Sequence, residues 1–398
     1  MRKLFFFSLF SILFSCGEKS SQELGSGNIL ENLTFTSDTV LVDSGEEIIN
    51  LSMGLRLADI SPDRKTLFLL DMTDHQLSVI DLNQLRLEKK IPFEPEGPNG
   101  IGNYMNKIQL LPNGRILFAS FEANAVFNTD GRKEMDIEFL PEKIDSLSEV
   151  EQSNAWYGLM ISSDGRNIFS LPGNFFEGGR DLLVADFPSL KGKIIDIPAM
   201  DIASELRVVL SSKDMMSVSI QEVNLQELGK KVVVGNSASS DIYIYDPKND
   251  SLELKMYQHS LVPNRKEVSV RSEVESQEEF QAENEKINQQ IGFQRFFEDP
   301  ESKLFFRFGS ISLPKSNPDA ERRSEVYLFA YDEELNLVGE ARLEKLTKVP
   351  SNPFFKDGKL WSYVNVDDEL GFAVMDLNLN LKNGGGRNPS ERELIINN

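Results

Sequence analysis

The chain is almost without cysteine and histidine. Among its 398 residues there is one cysteine, Cys16, and there are two histidines, His75 and His259. A lone thiol excludes a disulfide within the chain. So few ligands also exclude zinc sites built on several Cys and His. Two scattered histidines with no Gly-x-Ser-x-Gly elbow leave no basis for a Ser-His-Asp nucleophile. Basic residues are scarce as well: 42 Lys and Arg stand against 63 Asp and Glu, for a net charge of −21. A surface of that sign repels nucleic acid and anionic headgroups, so DNA and RNA are excluded as partners. Long apolar runs are missing too. Leu4 to Phe14, LFFFSLFSILF, is only eleven residues, far short of the roughly 30 Å hydrocarbon core at about 1.5 Å per residue.

That short run has a different meaning. Arg2 and Lys3 precede it as a positive n-region, so residues 1–15 read as a signal peptide. The next residues, Leu13-Phe14-Ser15-Cys16, resemble the lipobox of bacterial lipoproteins. The resemblance implies diacylglycerol on the Cys16 sulfur and cleavage before it, giving a chain anchored to a membrane by lipid; two or three acyl chains suffice for stable anchoring. Loss of Arg2 and Lys3 leaves 40 basic against 63 acidic residues, about −23. Residues 16–28 are the anchor and a polar tether, GEKSSQELGSGN, which spans roughly 20 Å. Glu18 and Lys19 resemble the charged sorting stretch of surface-exposed Bacteroidetes lipoproteins. The expected location is the cell envelope, with the anchor in the outer membrane and the body facing the periplasm or the surface.

The body, residues 29–380, repeats one pattern. ISPDRKTLFLLDMTDHQLSVIDL (60–82) returns at 110–131, 161–187, 227–247, 298 onward and 355–380. In each copy a strand meets a tight turn rich in Asn, Asp and Gly, which tolerate the positive φ of hairpins. Two more strands follow, apolar and β-branched or aromatic. Turn positions align at Asp63, Asn113, Asp164, Leu228, Glu301 and Asp357. The mean period of about 59 residues is that of propeller blades. The reading is an all-β fold, a six-bladed β-propeller. Leu33 to Val42 is expected to supply the outer strand of the last blade and so tie the ring shut. Residues 272–290 break the pattern. They read as an inserted acidic, amphipathic helix with a capping box at Ser272/Glu275 or Ser276/Glu279, and with Phe280, Ile287 and Ile291 on one face. It either packs on the rim, docks a partner or covers the central pore. Residues 381–398 read as a polar tail.

Three stretches carry a family resemblance: EGPNGIG (96–102), IGFQRFFEDPESKLFFRF (291–308) and PFFKDGKLWSYVNVDDELGFAVM (353–375). With them the chain, from about 30 to 380, resembles an uncharacterised family of Bacteroidetes lipoproteins carrying a domain of unknown function, DUF4221. The resemblance implies a six-bladed, propeller-like body; it carries over no catalytic residues to this chain.

By analogy of fold, a site belongs at the mouth of the central channel, on the loops that lead into each innermost strand. Those loops carry Asn99, Asn103, Tyr104, Trp156, Tyr157, Arg295 and Phe354. Aromatic rings there either stack on a sugar or anchor a peptide, or simply pack between blades. EGPNGIG and GGGR (384–387) lack the strand–glycine loop–helix setting of a phosphate site, and NVDDE lacks EF-hand spacing. No metal and no cofactor is expected. Function therefore divides three ways: a non-catalytic binding module for an envelope protein, peptide or glycan; a hydrolase or lyase using two carboxylates some 5–9.5 Å apart; or a structural subunit of an envelope complex docked through the helix.

Overall fold

The structure, a computed structural model, describes residues 27–174, 179–211, 216–315, 317 and 320–379. Cys16, the signal peptide, most of the tether and the tail lie outside them. Six antiparallel sheets follow one another along the chain. Blade 1 is Ala58–Ile60, Thr66–Asp71, Gln76–Asp81 and Arg86–Pro92. Blade 2 is Lys107–Leu110, Ile116–Ala119, Asn124–Phe127 and Lys133–Asp136. Blade 3 is Met160–Ile161, Asn167–Ser170, Leu182–Asp186 and Gly192–Ile195, with Ile144–Asp145 added in parallel at its outer edge. Blade 4 is Val223–Leu228, Lys231–Asn236, Ile242–Asp246 and Ser251–Lys255. Blade 5 is Gly292–Asp299, Leu304–Ser312, Ser324–Tyr331 and Leu337–Arg342. Blade 6 is Ser351–Lys356, Lys359–Val366 and Glu369–Asn378, completed by Thr34–Leu41. That last strand pairs from Thr34 opposite Asn378 to Leu41 opposite Gly371, so the N-terminal strand closes the ring as the pattern predicts.

The apolar density of strands such as TLFLLD has a simple cause. Each blade is buried on both faces, so both sets of alternating side chains are apolar. Leu67 and Leu69 join the core shared with blade 6, whereas Phe68 and Leu70 face blade 2. Tyr243 and Tyr245 face blade 3, and Ile242 and Ile244 face blade 5. There are six such cores for six interfaces, blade 6 to blade 1 included. A closed ring requires that number.

The repeated turn is held in the same way from copy to copy. In blade 1 the Ser61 hydroxyl donates to Asp63 at 2.6 Å and accepts from the Thr66 N–H at 3.0 Å. In blade 3 Ser162 donates to Asp164 at 2.7 Å and accepts from Asn167 at 3.0 Å. The left-handed position is Gly165 in blade 3 (φ 69°) and Arg64 in blade 1 (φ 59°).

Polar side chains lock the innermost strands to one another. The Gln109 amide donates to the Ile161 carbonyl at 2.7 Å and accepts from the Ile161 N–H at 3.0 Å. Gln226 repeats this with Phe296, at 2.9 Å both ways. Asp59 accepts from the Leu110 N–H at 2.7 Å.

The predicted helix is shorter than 272–290. After the short helices α1 (Glu149–Asn154) and α2 (Ile202–Glu205), it runs Gln277–Asn288 as α3, capped by Ser276, whose hydroxyl accepts from the Glu279 N–H. Residues Glu273–Val274 are strand instead. They pair in parallel with Val208–Ser211, which pairs in turn with Met216–Ser219. The sequence pattern did not predict this small sheet. With Ile287 buried and Phe280 packed partly against it, α3 lies on the sheet and on Ala238 of a blade 4 loop. It is a rim element of blade 4. Lys266, almost fully buried, donates to the Ile287 carbonyl at 3.0 Å and caps the helix C-terminus, as a cation there should.

Candidate functional site: the channel mouth

Charged side chains at the inner-strand ends of several blades act on one another. Lys107 opens the inner strand of blade 2, and Arg295 lies in that of blade 5. These blades oppose each other in a six-membered ring. Burial, and then repulsion from Arg295, nonetheless lower the Lys107 ammonium to about 8, against the pull of Asp59. The two inner-strand cations are therefore close enough to act on each other. Asp59 is pushed up by burial, an effect that outweighs the N–H groups of Leu110 and Ile60 and the nearby Lys107. Lys107 and Asp59 keep some accessible surface, which fits groups facing a narrow channel.

Arg295 is aimed by a bulge. Pairing of the two inner strands of blade 5 slips between Phe293 and Phe296, leaving Gln294 and Arg295 opposite the single residue Phe308. Such bulges redirect side chains. Arg307, with no exposed surface, fixes this one. Its guanidinium donates to the carbonyls of Gln294 at 2.6 Å, Ser240 at 2.9 Å and Asn236 at 2.9 Å. It is also 5.0 Å from the rings of both Phe293 and Phe296. Arg295 in turn donates from Nε to Glu222 at 2.9 Å, and its Nη2 reaches the same oxygen.

Tyr157 joins the charges to a chain of aromatic rings. Burial and Glu222 raise its hydroxyl pKa, opposed by Arg180, Arg295 and the Val223 N–H. Its ring carries the Arg180 guanidinium at 4.1 Å. Outward from Tyr157 come Trp156 at 5.7 Å, Phe121 at 6.4 Å from Trp156, and Tyr104 at 5.3 Å from Phe121. Tyr104 and Phe121 are 59% and 55% exposed, well beyond the usual state of large rings. Local structure presents the inner pair. Helix α1, Glu149–Asn154, carries a complete capping box of Ser148 and Glu151. Gly158, at φ 68°, then turns the chain beside Leu171, whose side chain would lie 3.3 Å from any Cβ there.

Of the residues expected at a site, Tyr104, Trp156 and Tyr157 lie on one chain of rings with Phe121, and Arg295 is paired with Glu222. Asn103 stands exposed next to Tyr104, its N–H bonded to Glu122 at 3.1 Å. Asn99 has a local partner, and the expectation for Phe354 is corrected. The Asn99 side chain accepts from the Lys133 N–H at 3.2 Å and fastens a loop. Phe354 is buried among Trp361 and Phe372 at 6.0 and 5.8 Å. A second bulge, between Ser351 and Phe354, flips its parity into the core between blades 6 and 1.

Asp59, Lys107, Phe121, Arg180 and Glu222 were missed, although a signal existed for two of them. Lys107, Glu222 and Arg295 each stand six residues before the aligned turn position of their repeat. In blades 2, 4 and 5 that column carries a charge, whereas in blade 1 it is Leu57, buried in the core with blade 2. The carboxylates of the column and its neighbours are both engaged, Glu222 by Arg295 and Asp59 by backbone N–H groups, which leaves no free acid/base pair in this cluster. Among the described residues no three His, Cys, Asp or Glu are grouped to hold a metal ion. No helix among them is long and apolar enough to cross a membrane.

The ring and its mouth define the class, an all-β propeller of six blades. The chain belongs to the DUF4221 family, a domain of unknown function, whose model matches residues 26–342. It is similar to a solved member of that family from Bacteroides vulgatus, at 13% identity over 87% of this chain and 99% of that one, with a TM-score of 0.63. The β-propeller domain of Cps50 (Swd1) from Myceliophteria thermophila is more distant: 9% identity, 85% and 99% coverage, TM-score 0.45. Among curated proteins, none matches.

Proposed function

We propose that this chain is a non-catalytic binding module of the cell envelope, lipid-anchored through Cys16, that takes its ligand at the channel mouth. One observation carries the reading: the ring chain Tyr104–Phe121–Trp156–Tyr157, half of it exposed, leads without a break to the charges on the axis. Exposed aromatic clusters of this kind mark recognition surfaces. The test is a thermal-unfolding screen of the full chain against oligosaccharides, short peptides and Ca²⁺. A ligand at a hundred times its Kd stabilises by about 2.7 kcal/mol. The shift should vanish in the Tyr104→Ala/Phe121→Ala double variant; a shift unaffected by it rejects the mouth as the site. Anchoring is tested separately. Cys16→Ala should abolish palmitate labelling and release the protein from the membrane fraction.

A second reading, a subunit docked to an envelope partner, is supported by an open groove of about 1020 Å³ between α3 and Val218–Ile220, with Lys315 and Arg322 at its far side. Gln277→Lys with Gln281→Lys on that wall should abolish partner crosslinking and spare ligand binding at the mouth.

A further inference from the structure

Among the described residues are two buried arginines and two lysines lowered to about 8, and in each pair one is bonded more strongly than the other. Arg307 donates three bonds of 2.6–2.9 Å to carbonyls. Arg180, only 6% exposed, has two longer ones, 3.5 Å to Leu171 and 3.3 Å to Gly173. No carboxylate of the described residues pairs with it. Lys266 and Lys107 are both lowered to about 8 by burial. Lys266 bonds the Ile287 carbonyl. The Lys107 ammonium makes no hydrogen bond or ion pair among the described residues; only the longer-range field of Asp59 opposes its repulsion from Arg295. The satisfied members are structural staples. The weakly bonded ones both belong to the proposed mouth site. A cation drawn partly out of water with few partners destabilises a fold, and groups of this kind cluster where a ligand completes them.

Charge sharpens the contrast. The chain carries −21 overall, yet three cations meet here against two carboxylates that already have partners. Building on the mouth reading above, we propose that the channel receives the carboxylate of an acidic saccharide. The acid group enters among Lys107, Arg180 and Arg295, while the sugar rings lie along Trp156, Phe121 and Tyr104. A peptide fits less well. Extended peptides bind by pairing with a free strand edge, and the inner-strand groups at Ile161 and Phe296 are already taken by Gln109 and Gln226.

The experiment is calorimetric titration of the full chain with trigalacturonate, its methyl ester, sialyllactose and a glucuronate-terminated oligosaccharide. A tripeptide with a free C-terminus is the comparison ligand. At least one acidic saccharide should bind, and for trigalacturonate the ester should be weaker by about tenfold or more, the worth of a charge-assisted bond. Lys107→Met should weaken the acid by a similar factor and leave the ester unchanged. Tyr104→Ala/Phe121→Ala should weaken both. An ester that binds as well as the acid, or an acid indifferent to Lys107→Met, overturns the anion site while leaving the mouth standing. Ligands indifferent to the aromatic variant as well overturn the mouth reading itself. Failure of all the acidic saccharides, or Lys107-dependent binding of the peptide alone, overturns the saccharide.

Discussion

Replacing Lys107 with methionine should make the protein more stable. The side chains are close in length, so the swap removes the charge and leaves the shape. An ammonium whose pKa has dropped from 10.5 to about 8 costs the folded state roughly 3 kcal/mol at pH 7. Part of that is returned. Asp59 loses a nearby cation, although its bonds to the N–H groups of Leu110 and Ile60 persist. The net gain is about 2 kcal/mol, or 2–3 °C in Tm at roughly 2.1 cal/mol/K of unfolding entropy per residue. Titration supplies a second signature. An amine whose pKa falls on folding favours the unfolded chain while it is protonated. Wild-type stability therefore climbs as pH rises from about 8 towards 10.5, and the climb is absent in Lys107→Met. Urea unfolding at pH 7 and at intervals to pH 10.5 reads both. A variant less stable than wild type at pH 7, or one that keeps the alkaline climb, would show that the channel satisfies Lys107 and that the reasoning about an unpaired cation is wrong.

Other substitutions test the frame around the site. Gln226→Leu removes both bonds to Phe296 and leaves a buried N–H and carbonyl unpaired; it should cost about 2–4 kcal/mol in urea unfolding, with Gln226→Glu in between. Gly339 passes so close to Ile29 and Leu30 that an added Cβ would lie 2.9 Å from each side chain; Gly339→Ala should cost about 1–3 kcal/mol and speed amide exchange at residues 29–33, where wild type is protected. Arg64→Gly relieves a left-handed backbone (φ 59°) and should stabilise, or at least not harm, despite the usual cost of glycine. In Glu340, burial raises the carboxyl, but bonds from His259 and from the Ser260 hydroxyl and N–H outweigh it and hold it at about 2. Its contribution, about 2 kcal/mol after allowance for partial exposure, is present above the ordinary 4.5 and lost as pH falls through that range towards 2; Glu340→Gln should flatten this acid limb of a stability–pH curve.

The ring could be read from the sequence because its causes are local. Two blades share one turn chemistry, Ser-x-Asp at 61–63 and again at 162–164, and the central strands are apolar on both faces because both faces are buried. The small sheet was harder to see, yet the repeat spacing records it. The aligned turns lie 50 and 51 residues apart through the first three blades, then 64 and 73 apart around blade 4. The surplus residues in those two gaps are the ones that build Val208–Ser219 and Glu273–Asn288. Neither piece makes a sheet alone, so no single window showed the pattern; the parallel pairing of Val209 with Glu273 joins segments more than sixty residues apart.

The site was less legible because it depends on parity and on opposition across the ring. FQRFF at 293–297 and SNPFF at 351–355 look alike, and in both a polar dipeptide forms a bulge before two phenylalanines. The residue inside the bulge reaches the channel in blade 5, as Arg295 does. The residue after it, Phe354 like Phe296, turns into an interface core. A bulge adds one more residue to the strand, so any face assigned by simple alternation inverts beyond it. Register counted from the turn is more robust than alternation counted from the loop. Six residues before the turn stand Leu57, Lys107, Gly158, Glu222, Arg295 and Ser351. Read around the ring, that column has one large apolar residue, a glycine, a serine and three charges, a composition unlike the apolar positions that flank it. Where the column is charged the interfaces do not bury it, whereas Leu57 of blade 1 is packed into the core with blade 2. On an innermost strand the charged positions of such a column are the ones left to face the channel.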